Sequence, residues 1–166
     1  MTPGRTRKRV AYHEAGHAVA CVLLRIPVVH VTIRPDRWGL GAVRWGDVTR
    51  LRVPGMRGVS GVARVRAIRE RLAVMALAGP VAQGILVGHY AVWCCCGDRR
   101  FAHRQLAPFS RTEEELANHV LNLESRASKI LRGARVWAAV ERVADALLES
   151  ETLNSSQVRK IISCRH

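Results

Sequence analysis

The sequence predicts a mostly helical α+β domain, in which an N-terminal helix lies against a small β-sheet and a C-terminal helical bundle follows. Three observations point there. Apolar residues recur at helical spacing near the N-terminus and again beyond residue 110. A short β-branched run lies between these stretches. The length, 166 residues, is about that of one domain and is enough to bury a core. A single domain over residues 1–166 is therefore expected.

The elements follow in order. Residues 7–25 read as a helix, because Val10, Ala11, Ala15, Ala18, Val19, Val22 and Leu23 share a face and Pro27 marks the stop. Val28 to Ile33 reads as a strand. Gly39-Leu-Gly41 is a turn signal, and Ala42 to Trp45 reads as a second, edge strand, closing a sheet over about 28–45. Residues 50–61, with Pro54, Gly55, Gly58 and Gly61, read as a loop. A helix is expected from about Val62, kinked or split at Gly79-Pro80. Residues 89–109 look irregular, with a short helix after Asp98. Ser110 with Glu113, and Thr112 with Glu115, are capping-box patterns that open a helix whose Leu116, Val120, Leu121 and Leu123 face inward. Gly133 breaks that helix. Val136, Val140, Val143, Leu147 and Leu148 mark the next one, and Asn154-Ser155-Ser156 caps a short last helix, so the C-terminal helices span about 110–162.

Lys plus Arg number 27 against 13 Asp plus Glu, giving a net charge of +14. Residues 1–71 carry +11 of it, which favours acidic partners or anionic surfaces. However, 24 of the 27 basic residues are arginine, a bias that genome base composition often produces. Nucleic acid is accordingly not expected as the main partner. Five cysteines, an odd number with three adjacent (Cys94, Cys95, Cys96), give no disulfide framework and suit a reducing, cytoplasmic setting. From Leu72 to Gly97 there is no charged residue, a span long enough for a bilayer. Gly79-Pro80, Gln83, Gly84, Gly88 and His89 interrupt it, so a buried, kinked core segment is expected rather than a transmembrane segment. The apolar run after the basic N-terminus contains His13, Glu14 and His17 and makes a poor signal peptide.

His13-Glu14-Ala15-Gly16-His17 is the sharpest signal in the chain. Residues four apart on a helix share a face, so two imidazoles can converge on one tetrahedral Zn²⁺. Glu14 follows the first ligand and can act as general base toward a water activated by the metal. Small Ala15 and Gly16 allow another segment to approach. A catalytic zinc needs a third protein ligand. His30, His89, Cys94, Cys95, Cys96, Asp98 and His103 are candidates, and spacing alone does not choose among them. An oxygen ligand would keep zinc a stronger Lewis acid than a thiolate would, which favours Asp98.

Val10-Ala-Tyr-His-Glu-Ala-Gly-His-Ala-Val19 resembles the zinc helix in the peptidase domain of the FtsH-type AAA proteases. Val31-Thr-Ile33 with Gly39-Leu-Gly41, then Leu77-Ala-Gly79 with Ala82 and Ile85 to Gly88, and finally Ala146 to Leu153, resemble later segments of that family in the same order. The resemblance implies a zinc metallopeptidase with one Zn²⁺ per chain held by His13, His17 and Asp98, because Gly97-Asp98 occupies the place of the family's third ligand. It implies that Gly41, Ala42, Val43, Arg44 and Trp45 form the edge strand that holds substrate backbone by strand addition. A hexameric homo-oligomer is a further implication.

Two departures bear on function. Gln83-Gly84 stands where the family carries two glutamates, one of which supports the zinc site. Gln83 could accept a hydrogen bond there, but without charge. None of the three lysines follows a glycine, so no Walker A loop is present. The ATPase module and the membrane segments that precede it are not expected in this chain. The expected activity is hydrolysis of peptides or unfolded protein segments, delivered in some settings by a separate ATPase or a membrane-associated partner. The alternative is a catalytically weak or inactive module that keeps the fold and binds an acidic partner or nucleic acid.

Overall fold

The computed structural model describes residues 3–35, 37, 39–49, 51, 60–88 and 96–164, with the backbone alone for Pro3, Arg5 and Cys96. Its order is α1 (Pro3–Leu23), β1 (Val28–Thr32), β2 (Ala42–Trp45), α2 (Gly61–Val87), α3 (Cys96–Leu106), a 3₁₀ turn (Ala107–Phe109), α4 (Glu113–Leu131), α5 (Ala134–Ser150), β3 (Thr152–Asn154) and α6 (Ser155–Ser163). The expected mostly helical α+β architecture is what forms.

Helix α1 runs longer at its start than the apolar pattern predicts. It ends in a Schellman-type turn, in which Ile26 N–H reaches the Cys21 carbonyl at 2.8 Å and Arg25 N–H the Val22 carbonyl at 3.1 Å. Arg25 takes the left-handed conformation that glycine usually fills there, φ 59°. The chain then enters an antiparallel sheet of order β2-β1-β3. Val31, at its centre, pairs with Val43 on one side and Leu153 on the other. β2 is an edge, as expected.

β3 is an element the sequence reading did not contain. Three residues between the end of α5 and the asparagine cap of α6 are too few for an alternation pattern. They become a strand because β1 offers them an edge. Glu151 fixes the junction: its backbone is left-handed, φ 59°, and its carboxylate takes ion pairs from Arg7 at 3.0 Å and Arg34 at 2.9 Å. This joins the start of α1, the end of β1 and the end of α5.

Helix α2 corrects the expectation of a split. It is continuous over 27 residues with Pro80 inside it. Proline removes one ladder bond and crowds the carbonyl four residues back, a cost of about 3 kcal/mol in an isolated helix. Packing on several sides offsets that cost, for every residue from Leu72 to Gly84 is buried. By length and composition α2 could cross a membrane, but 72% of its most apolar window is buried inside the protein, which fits a core helix. The N-terminal expectation for α3 also shifts. The helix begins at Cys96, so Asp98 lies in its first turn rather than before it, where the helix dipole favours a carboxylate.

In α4 the cap is Thr112, whose hydroxyl accepts from Glu115 N–H at 3.1 Å. Leu116, Val120, Leu123, Ala127 and Leu131 face the core. Leu121 does not: it is 52% exposed, because its position falls off the stripe that the others define. Gly133 caps α5, which buries Val140, Val143 and Leu147. Asn154 and Gln157 form a reciprocal capping box at α6. The expected loop at 50–61 falls mostly outside the described residues, as do His89, Cys94 and Cys95.

Candidate metal centre

The site is built where α1 crosses α2. That crossing depends on small residues. A Cβ added at Gly16 would lie 2.6 Å from both the Ala78 carbonyl oxygen and the Ala82 Cβ, so the two backbones pass at close range. On the same side a Cβ at Gly79 would run into the His17 ring, with Cδ2 only 2.7 Å away. From sequence, Gly79 is expected only as part of a helix break with Pro80. In the structure it is the floor on which an imidazole lies.

His13 and His17 stack one turn apart with their rings edge to face, centroids 4.7 Å apart. Asp98, from the first turn of α3, completes the group. His17 Nε2 lies 3.0 Å from His13 Nε2, His13 Nε2 lies 3.1 Å from Asp98 Oδ2, and His17 Nε2 lies 3.5 Å from Asp98 Oδ1. A tetrahedral zinc with bonds of about 2.0–2.1 Å holds its ligand atoms roughly 3.3–3.4 Å apart. The two imidazoles approach different oxygens of Asp98, and one ligand atom from each of the three residues lies within 4.8 Å of the others, close enough for small shifts to bring them onto one such ion; the set of two imidazoles and one carboxylate suits it. Among the described residues no other group of His, Cys, Asp and Glu converges in this way. His30 and His103 stay outside it. Cys21 is buried in the core, and burial pushes its thiol up to about 12.

His17 is oriented from behind. Its Nδ1 lies 2.8 Å from the Met75 carbonyl, which fixes Nδ1 as the donor and turns Nε2 toward the other two ligands. A backbone carbonyl in this role sets tautomer and ring angle together. No sequence signal marks Met75, because any residue supplies a carbonyl. Gln83 is buried and lines the same cleft. Among the described residues, however, no hydrogen bond links its side chain to His13, His17 or Asp98.

The charges are strongly coupled. Burial disfavours a charged His17 ring, yet Asp98 beside it, with Glu14 and the Met75 carbonyl, raises it from 6.5 to about 9. Burial alone would raise Asp98, but the imidazoles of His17 and His13 hold it well below the usual carboxylate range. Burial raises Glu14 above its ordinary value, with the two histidines pulling it back and Asp98 pushing it further up.

These groups line one cleft of about 750 Å³. Glu14 is in it, 6% exposed. Gly41 is pressed against Glu14: a Cβ there would lie 2.9 Å from Glu14 Cγ and 2.9 Å from the Thr32 carbonyl oxygen. Ala42, Val43 and Trp45 also line the cleft, whereas Arg44 is exposed on the strand and does not. Sequence reasoning missed the opposite wall, where Phe101 packs edge-on to Trp45 with centroids 5.6 Å apart. It also missed Arg9 and Arg104 at the cleft. The spacing could have found two of these, since Arg9 precedes His13 by one turn and Phe101 follows Asp98 by one turn.

No family model matches the chain. The ATP-dependent zinc metalloprotease FtsH 1 of Symbiobacterium thermophilum (strain DSM 24528) is 29% identical over 172 aligned residues, an alignment covering 94% of this chain. The chain spans 29% of that protease's length. The chain is thus similar, over most of its own length, to part of a zinc metalloprotease, and its three candidate ligands converge on one point of the cleft.

Proposed function

We propose that this chain is a zinc-dependent metallopeptidase acting on peptides or unfolded protein segments. One observation carries the reading: His13, His17 and Asp98 converge with one donor atom each within 4.8 Å of the others, and Glu14 is buried in the same cleft. Zinc bound by these three would supply a Lewis acid and an acidified water. Glu14 takes the proton from the attacking water and passes it to the leaving amine, the role a buried carboxylate with a raised proton affinity suits. Met75 holds His17 in one tautomer throughout. β2, an edge of the sheet among the described residues and beside the cleft, aligns an extended substrate by strand addition. Because the 166 residues contain no Walker A loop, the chain cuts without ATP and leaves folded proteins intact. A homo-oligomeric ring and a separate motor that feeds it belong to the same proposal.

The test is cleavage of an unfolded protein such as casein, with and without a chelator, by wild type and by Glu14→Gln. Wild type should cleave, the chelator should abolish cleavage, and zinc should restore it. Glu14→Gln should keep its zinc and lose about 10²–10⁴-fold in rate. A Glu14→Gln protein as fast as wild type would remove Glu14 as the base, and a zinc-loaded wild type that cuts nothing, alone or with a motor, would leave a binding module instead.

A further inference from the structure

The two arginines at the cleft point to what it binds. Four described arginines pair with carboxylates, Arg7 and Arg34 with Glu151, Arg66 with Glu70 and Arg99 with Glu124. Arg104, exposed at the cleft, does not. It lines the cleft beyond Phe101, with its guanidinium carbon 6.0 Å from that ring's centroid. Among the described residues its guanidinium makes no hydrogen bond or ion pair. Arg9 reaches the same cleft from α1, one turn before His13. Among the described residues, the acidic ones that line the cleft are Glu14 and Asp98. Asp98 is engaged with the two imidazoles and Glu14 is buried, so no described lining carboxylate is left to balance Arg104.

We infer that Arg104, assisted by Arg9, receives a carboxylate of the bound peptide, so that the cleft selects substrates carrying an acidic side chain or a free C-terminus beside an apolar residue. The apolar neighbour would lie on the Trp45–Phe101 pair, a wall that a β-sheet edge and a helix build together. A guanidinium beside a ring keeps its edge donors available, and that edge matches a carboxylate two bonds at a time. The inference rests on the peptide-binding reading of the cleft proposed above.

The experiment measures binding, not turnover. Three labelled peptides, otherwise neutral and identical, are titrated by fluorescence anisotropy into zinc-loaded Glu14→Gln protein at low salt. One has an internal Glu and an amidated end, one has Gln and an amidated end, and one has Gln and a free C-terminal carboxylate. At least one carboxylate peptide should bind about tenfold or more tightly than the neutral one, and which of the two does so identifies the source. Adding Arg104→Met should remove the preference, Arg9→Met should reduce it, and Arg104→Glu should transfer it to a Lys-containing peptide. Equal binding of all three peptides, or a preference that survives Arg104→Met, overturns the inference. Absence of cleavage by the wild type overturns the proteolytic reading alone, because the preference is read without it.

Discussion

The crossing of α1 with α2 and the C-terminal pair α4 and α5 are both helical and both buried, yet they are held by different means. In α4 and α5 the stability comes from apolar stripes, with Leu116, Val120 and Leu123 on one helix and Val140, Val143 and Leu147 on the other. Side-chain caps and a glycine set the ends. At the α1–α2 crossing the contact is made by absent atoms. Gly16 admits the Ala78 carbonyl, and Gly79 admits the His17 ring. The bundle tolerates any residues of about the right size and polarity. The crossing tolerates almost nothing larger than hydrogen, because what lies against each glycine is backbone, an alanine methyl or a candidate ligand. Stability is spread through the bundle, and site geometry is concentrated in a few positions of the crossing.

That contrast can be tested by substitutions that affect one region and spare the other. Leu147→Ala should give the largest loss of stability, about 2–5 kcal/mol, by opening a cavity in a fully buried position. Its zinc content per folded chain should not change. Denaturant unfolding and metal analysis of the same sample check both halves. If Leu147→Ala lost zinc while still folded, bundle and site would not be separable.

Gly79→Ala should do the reverse. A single methyl must displace the His17 ring or spread the helices, costing about 1–3 kcal/mol, but zinc affinity should fall by about 10–100-fold, as when the support of a ligand is lost. Competition with a chromogenic chelator measures this. Unchanged affinity in Gly79→Ala would mean that the ring does not depend on this floor.

Acidity offers a subtler probe. Protons compete with the metal for His17, whose affinity for them is raised to about 9 by Asp98 and Glu14. Lowering the pH therefore weakens zinc binding, and affinity should keep rising with pH from 6.5 toward 9 instead of levelling near the ordinary imidazole value. Calorimetry in buffers of different ionisation enthalpy would count the protons released. No proton release at pH 7–8 would contradict the coupling. The smallest effect is expected at the bundle's edge. Thr112→Ala should cost about 1 kcal/mol through loss of its bond to Glu115 N–H, with zinc unaffected.

The same contrast explains what could be read from the chain. Helices α1, α4, α5 and α6 and strands β1 and β2 follow from periodicity, β-branching and caps, which are local properties. β3 was invisible because three residues acquire strand form only from β1, far away in sequence. Pro80 misled, since proline's local cost is offset by tertiary burial of the whole segment. Leu121 is apolar, yet its angle on α4 turns it to solvent, off the stripe of Leu116, Val120 and Leu123. At the site, His13, Glu14 and His17 were legible from spacing alone, whereas spacing left Asp98 among seven candidates, and the case for an oxygen ligand together with a resemblance singled it out. Met75, Gly79 and Arg104 were not legible as site residues. A carbonyl, a missing methyl and a guanidinium acquire meaning only from what the fold brings to them.

The most direct measurement is zinc stoichiometry and affinity in wild type and Asp98→Ala, by mass spectrometry and chelator competition. The three-donor geometry predicts one zinc per chain in wild type, with binding weakened by orders of magnitude in Asp98→Ala and preserved when Cys94, Cys95 and Cys96 are all changed to serine. A wild type that binds no zinc, or an Asp98→Ala protein that holds it as tightly while the serine variant loses it, would contradict the site.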